Sequence, residues 1–204
     1  MTGIPQIIPV PSVKANASYD FVDIATGLGF VLYYGVSGAE PTQTYILASE
    51  PLRSNLTYTG RSGAGTTTLT FDTSVFNLPR TVKGTALYVG DYFSTTTEAK
   101  RLTITIQKID VDSNVTNLSS AVSSNTGNVV INMTSVLMQL PLTQTTIKKG
   151  EKLRLKIDMV VDTGTGAFEI GHDGGNRNGS SINLTTFPDA TTVMKLYIPF
   201  RVDL

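Results

Sequence analysis

The residues that could do chemistry are few. His172 is the only histidine, and Asp173 and Ser180 follow close behind it, so a Ser-His-Asp hydrolase would have to be built here. The surrounding stretch, Gly171–Ser181, reads GHDGGNRNGSS. A triad needs side chains fixed by packing and by supporting hydrogen bonds, and a run of glycine and asparagine supplies neither. The expectation for His172 is a surface turn. A glycosidase would need two carboxylates placed across a sugar cleft. Here Asp and Glu are scattered, and no tryptophan is present to stack on sugar rings. The chain is therefore expected to be no enzyme, and no catalytic residue is assigned.

Other motifs give way to plainer readings. Asp110-Val111-Asp112-Ser113-Asn114 opens like a calcium loop, but Val115 stands where the loop needs glycine and the closing glutamate is missing. A hairpin turn is the better reading. Gly60–Gly65, GRSGAG, lacks the Gly-Lys-Ser/Thr ending of a phosphate loop and any helix after it, and reads as a mobile hairpin tip. With no cysteine, disulfides, zinc fingers and thiol catalysis are excluded. No metal and no cofactor is expected. Tyr33, Tyr34, Tyr45, Tyr58, Tyr88 and Tyr92 could form a sugar-binding platform; the alternative is tyrosines at the core boundary with their hydroxyls in water. Lys148, Lys149, Lys152, Arg154 and Lys156 make a basic strip. It reads either as a solvated face, with lysines guarding a strand edge, or as a docking surface for an acidic protein.

The element best able to position such groups is Lys152–Val161, KLRLKIDMVV. Leu153, Leu155, Ile157 and Met159 alternate with Lys152, Arg154, Lys156 and Asp158, a strict period of two that specifies a half-buried strand. Burying those four aliphatics is worth about 6–12 kcal/mol as an upper bound, and only an opposing layer can provide the burial. Lys148-Lys149-Gly150 turns the chain into this strand, and Asp162–Gly166 ends it.

Further strands are predicted at Tyr19–Ile24, Phe30–Tyr34, Gln43–Ala48, Thr66–Phe71, Thr85–Val89, Arg101–Ile109, Asn128–Met133, Val136–Leu142, Ala167–Ile170 and Val193–Val202, with short ones at Leu56–Thr59 and Val115–Leu118. A bend is expected at Ser135, and Pro199 places the last strand at an edge or a bulge. Thr, Ser, Gly, Val and Ile dominate, and no convincing helix is found. The fold class is all-β, a single antiparallel β-sandwich over residues 19–204, best matched by a jelly roll.

Residues 1–18 stand apart. Pro5, Pro9 and Pro11 oppose both helix and sheet ladder, while Ile4, Ile7, Ile8, Val10 and Val13 are apolar. Ordering this stretch costs about 18–36 kcal/mol in backbone entropy, and burying its aliphatics returns at most about 8–15 kcal/mol. Backbone pairing with some surface is needed as well, either on a neighbouring subunit or on the chain's own domain.

Composition bounds the partners. The 204 residues carry 16 basic and 16 acidic side chains, a formal net charge of zero. That argues against bulk nucleic-acid binding. No window reaches the apolar length of a membrane helix, and the start, Met1–Pro5, lacks the charge and apolar core of a signal peptide. Asn55, Asn114 and Asn132 head Asn-x-Thr triplets, read as products of composition.

Several phrases together resemble a known group. They are Tyr19–Ala25 (YDFVDIA), Gly27–Gly35 (GLGFVLYYG), Phe76–Ala86 (FNLPRTVKGTA), Leu140–Thr143 (LPLT), Ile147–Leu155 (IKKGEKLRL), Gly171-His172-Asp173 and Tyr197–Leu204 (YIPFRVDL). The set resembles virion structural proteins of tailed bacteriophages, in particular jelly-roll capsid decoration (cement) proteins. The resemblance implies a non-enzymatic homo-oligomer, often a trimer, seated on the major capsid protein at the virion surface after assembly in the host cytoplasm. Absence of cysteine suits such assembly. The partner-binding candidates are Ile4, Ile7, Ile8 and Val10 in the arm, with Lys148, Lys149 and Arg154 in the basic strip. The alternative is a carbohydrate-binding sandwich used for host or surface adhesion in a tail or fibre.

Overall fold

The structure, a computed structural model, describes residues 17–18, 28–37, 45–50, 57–94, 100–125, 132–172 and 194–201. The predicted strand Tyr19–Ile24, and Ile4, Ile7, Ile8 and Val10, lie outside the described residues. Among the described residues there are thirteen strands and no helix. No helix there is long and apolar enough to cross a membrane.

The strands are β1 (Ala17–Ser18), β2 (Leu28–Ser37), β3 (Tyr45–Ala48), β4 (Thr57–Ser62), β5 (Gly65–Asp72), β6 (Arg80–Ser94), β7 (Lys100–Ile109), β8 (Val115–Asn117), β9 (Val122–Asn125), β10 (Asn132–Ile147), β11 (Lys152–Val161), β12 (Ala167–His172) and β13 (Lys195–Arg201). One layer is built on β6, with β10 along one edge and β12 and β13 in tandem along the other. The second layer is β5–β11–β7. The two layers join through the β2–β3 hairpin, and the single β3–β5 bridge, Ile46 to Asp72, is parallel, a departure from the all-antiparallel expectation. On the far side the layers meet again, where Ser119 bridges Leu142 and the Thr143 N–H donates to the Leu118 carbonyl at 2.7 Å. The result is an all-β, sandwich-like packing in which both layers belong to one continuous sheet.

The strand at Lys152–Val161 has the bounds and alternation that its sequence specifies. Leu153, Leu155, Ile157, Met159 and Val161 are buried, facing the other layer. Both of its edges are paired, so its lysines guard no free edge. Tyr88, Leu140, Phe168, Leu196 and Ile198 also belong to this core.

Two expectations fail locally, and the choice left open at Pro199 is settled. No bend interrupts the chain at Ser135: β10 runs from Asn132 to Ile147, because fourteen of its residues find partners on β6, and the irregularity falls between Leu142 and Thr145. The predicted short strand Thr85–Val89 is the middle of the fifteen-residue β6 for the same reason. Pro199 sits at a register shift of β13 against β6, so it takes the bulge and not an edge.

Candidate binding groove and the buried histidine

His172 is not on a surface turn. It closes β12, is wholly buried, and shares a 2.8 Å hydrogen bond between its Nε2 and the Thr59 hydroxyl. Tyr45 and Phe71 stand edge-on to its ring, with centroids 5.5 and 5.8 Å away. Pairing of β12 with β4 carries the strand two residues past Ile170, and that pairing draws the imidazole inward. Its described partners hold it as a packing and hydrogen-bonding residue. Asp173 and Ser180 lie outside the described residues.

The calcium-like run is a hairpin turn between β7 and β8. The Asp110 carboxylate accepts from the Asp112 N–H at 2.9 Å, the Asn114 N–H at 2.8 Å and the Asn114 side-chain amide at 2.9 Å. Those bonds, chiefly from Asn114, hold its carboxyl below the usual carboxylate range. Ser113 takes a left-handed conformation (φ 67°) to close the turn. In the Gly60–Gly65 stretch, the Arg61 guanidinium donates to the carbonyls of Gly63, Ala64 and Thr66, pinning the turn between β4 and β5.

The basic strip is partly neutralised. Arg154 grips Asp72 with two hydrogen bonds, at 2.6 and 2.8 Å, and Lys156 lies 2.8 Å from Asp158. Lys148 and Lys149 are exposed on the turn before β11.

The tyrosines do not form one platform. Tyr88 and Tyr92 are in the core, and the Tyr88 hydroxyl is buried with no hydrogen-bond partner among the described residues, not in water as expected. Burial pushes its ionisation far above the ordinary tyrosine range. Tyr45 packs on Phe71. Among the tyrosines whose side chains are described, Tyr33 lines an open groove.

That groove lies where the chain crosses between layers. Tyr33 comes from β2, Ser49 follows β3, Ser74, Phe76 and Asn77 come from the β5–β6 connection, and Arg80 opens β6. Its volume is about 280 Å³, near the lower end of the ~300–1,000 Å³ typical of small-molecule sites. The connection is held in place by its backbone. Thr73 N–H donates to the Leu153 carbonyl at 2.9 Å, Phe76 N–H to the Glu151 carbonyl at 2.9 Å, and Gly150 N–H to the Phe76 carbonyl at 2.8 Å. The Thr73 hydroxyl accepts from the Leu153 N–H at 3.1 Å. The Lys148–Gly150 turn, legible in the sequence, thus braces the groove wall, and Lys108 ties Glu151 down at 3.1 Å. At the mouth, Val75 and Leu78 are exposed, Leu78 by 72%.

Tyr33 is 9% exposed. Burial pushes its pKa up to about 12, with the Arg80 charge pulling the other way. It is thus a neutral phenol at ordinary pH, able to donate and accept. The Arg80 guanidinium carbon lies 5.6 Å above the Phe200 ring, which packs on Phe76 at 6.0 Å. Sequence reasoning reached Tyr33 as one of six tyrosines and missed Ser74, Asn77 and Arg80. No pattern marks them, since a strand crossing and a turn far along the chain bring them together.

No family model and no curated protein matches the chain. Solved structures do. An α-amino acid ester hydrolase superposes with a TM-score of 0.57 at 8% identity, over 83% of this chain and 36% of that one. An aminopeptidase from the marine sediment archaeon Thaumarchaeota archaeon gives 0.49 at 12% identity, over 66% and 26%. A structure of carbohydrate-binding modules from the β-sandwich superfamily gives 0.39 at 13% identity, over 78% and 61%. The chain spans about a third or less of the length of the two hydrolases. At 8% identity the likeness to the ester hydrolase is one of fold alone, an all-β, sandwich-like packing.

Proposed function

We propose that this chain is a non-catalytic β-sandwich whose groove binds carbohydrate, in the service of adhesion to a surface. One observation carries the reading. The groove offers an apolar floor from Tyr33 and Phe76 beside polar side chains from Ser49, Ser74, Asn77 and Arg80, on a wall braced by backbone hydrogen bonds. Sugars present apolar C–H faces and a fringe of hydroxyls, and such a groove matches both. The described histidine is buried and is not among the groove's lining residues. A glycan array followed by titration calorimetry tests this. Binding at millimolar affinity or better, lost in Asn77→Ala with the thermal transition unchanged, is the expected result. A silent array would end the reading.

A second reading, the capsid decoration subunit, is favoured by β10. Among the described residues this long strand has a ladder only with β6, apart from the bridge at Leu142, and it carries Leu137 at 63% exposure. Strand edges and exposed aliphatics of this kind recruit other chains. In this reading a jelly-roll homotrimer sits on the major capsid protein. The arm residues Ile4, Ile7, Ile8 and Val10 lie on a neighbour, and Lys148, Lys149 and Arg154 face an acidic surface. Light scattering on the purified chain should then give a trimer mass, and Leu137→Asp should reduce it to a monomer; a monomer at every concentration sinks this reading.

A further inference from the structure

We propose that the groove selects an anionic sugar, one bearing a carboxylate or another oxyanion, and that Arg80 is the residue that reads the charge. This rests on the carbohydrate reading above and narrows it to a ligand class.

Among the described residues, Arg80 is the only charged side chain lining the groove, and no aspartate or glutamate lines it. The other arginines whose donors are accounted for have spent them. Arg61 holds backbone carbonyls, Arg101 holds Asp162 at 2.7 Å, and Arg154 holds Asp72 in a fork. Arg80 forms no ion pair with any described carboxylate. It lies instead over the face of Phe200, itself supported by Phe76. Stacking on an aromatic face orients the guanidinium while leaving its N–H groups free to point elsewhere. A fixed guanidinium fork matches a carboxylate or sulfate with two parallel hydrogen bonds, each stronger than a neutral one. Tyr33 is close enough to feel the Arg80 charge, and as a neutral phenol it adds no competing negative charge. The low-dielectric wall of Leu47, Val31 and Phe76 strengthens the attraction for an anion that displaces water there.

The test compares ligands that differ in charge and little else. Calorimetry on the full chain would use tetragalacturonate, its methyl ester, and a sulfated tetrasaccharide, with acetate and inorganic sulfate as bare anions. The expected result is at least tenfold tighter binding of the free acid or the sulfated sugar than of the ester. Arg80→Gln should erase that preference while the thermal transition falls by no more than about 4 °C, and Arg80→Lys should restore part of it. Preference for the acid marks a carboxylate ligand, and preference for the sulfated sugar marks a sulfate one. Equal binding of acid and ester, lost in Asn77→Ala but kept in Arg80→Gln, overturns the role of Arg80 and leaves the carbohydrate reading standing. Bare anions binding as well as the sugars overturn the sugar part. A silent glycan array, neutral and acidic alike, removes both.

Discussion

His172 and Arg80 keep similar company and meet opposite ends. Each is a nitrogen-rich side chain beside aromatic rings, Tyr45 and Phe71 for one, Phe200 backed by Phe76 for the other. Yet His172 is wholly buried, and Arg80 is exposed at the first residue of its strand. The difference follows from the cost of burial. An imidazole can leave water when hydrogen-bond partners go with it, and the Thr59 hydroxyl is one such partner. A guanidinium cannot become neutral, so without a carboxylate it must stay at a surface. The residue that looked reactive in the sequence is therefore the one sealed away. The one available to a ligand is an arginine with no motif around it.

The sharpest way to break this comparison is to remove the histidine. In His172→Ala the Thr59 hydroxyl loses its partner and a cavity opens between Tyr45 and Phe71. Stability should fall by about 2–4 kcal/mol, read as a lower midpoint in urea. Groove binding should not change in those molecules that still fold. A variant as stable as the parent would mean that the pocket is open and that the two sites are not opposites.

Tyr33 tests the groove side. Its folded-state pKa, pushed up to about 12, exceeds the value of about 10 expected when unfolded. A raised pKa contributes stability that is fully present below the unfolded value and lost as pH climbs through the folded one. The parent should therefore lose about 2–3 kcal/mol more than Tyr33→Phe between pH ~10 and ~12. Tyr88 titrates in both proteins and cancels in the difference. Parallel stability curves would place the Tyr33 ring in water, and the groove floor with it.

The brace behind the groove is the next lever. Gly150 holds φ at +87°, where a side chain is strained, and a Cβ there would meet Val111 at 3.1 Å. Gly150→Ala should cost about 1–2 kcal/mol and loosen the bond from Gly150 to Phe76. Ligand affinity should drop with stability, whereas in His172→Ala only stability drops. Hydrogen exchange at the amide of residue 150, which donates to the Phe76 carbonyl, faster in the variant, would localise the effect.

How much of this could be read from the chain depended on the range of the forces involved. Alternation in Lys152–Val161 is local, and it gave that strand to the residue, along with the turn before it and the all-β class. The hairpin at Asp110 was legible because Asn114 is four residues away. His172 was misplaced because glycines following it suggested a loop, while the pairing that buries it comes from β4, more than a hundred residues earlier. The continuity of β10 through Ser135 also depends on a partner, β6, some forty residues distant, with the Asp91 carboxylate accepting from Ser135 itself at 2.6 Å. The groove was invisible for the same reason: its wall is positioned by bonds between Thr73–Phe76 and Gly150–Leu153.

Removing the arginine charge should perturb the fold least of all. Arg80→Gln gives up one exposed cation–π contact with Phe200, worth about 0.5–1 kcal/mol, and no described ion pair. Loss of the positive charge also removes what draws the Tyr33 ionisation downward, so that tyrosine should titrate still higher in the variant. Spectrophotometric titration of the phenolates reads that shift without any ligand. An upward move places the guanidinium at the groove floor as described. An unmoved Tyr33 would put the charge elsewhere, and the contrast with His172 would reduce to exposure alone, since a cation that does not act on the floor of a groove has no evident means of choosing what enters it.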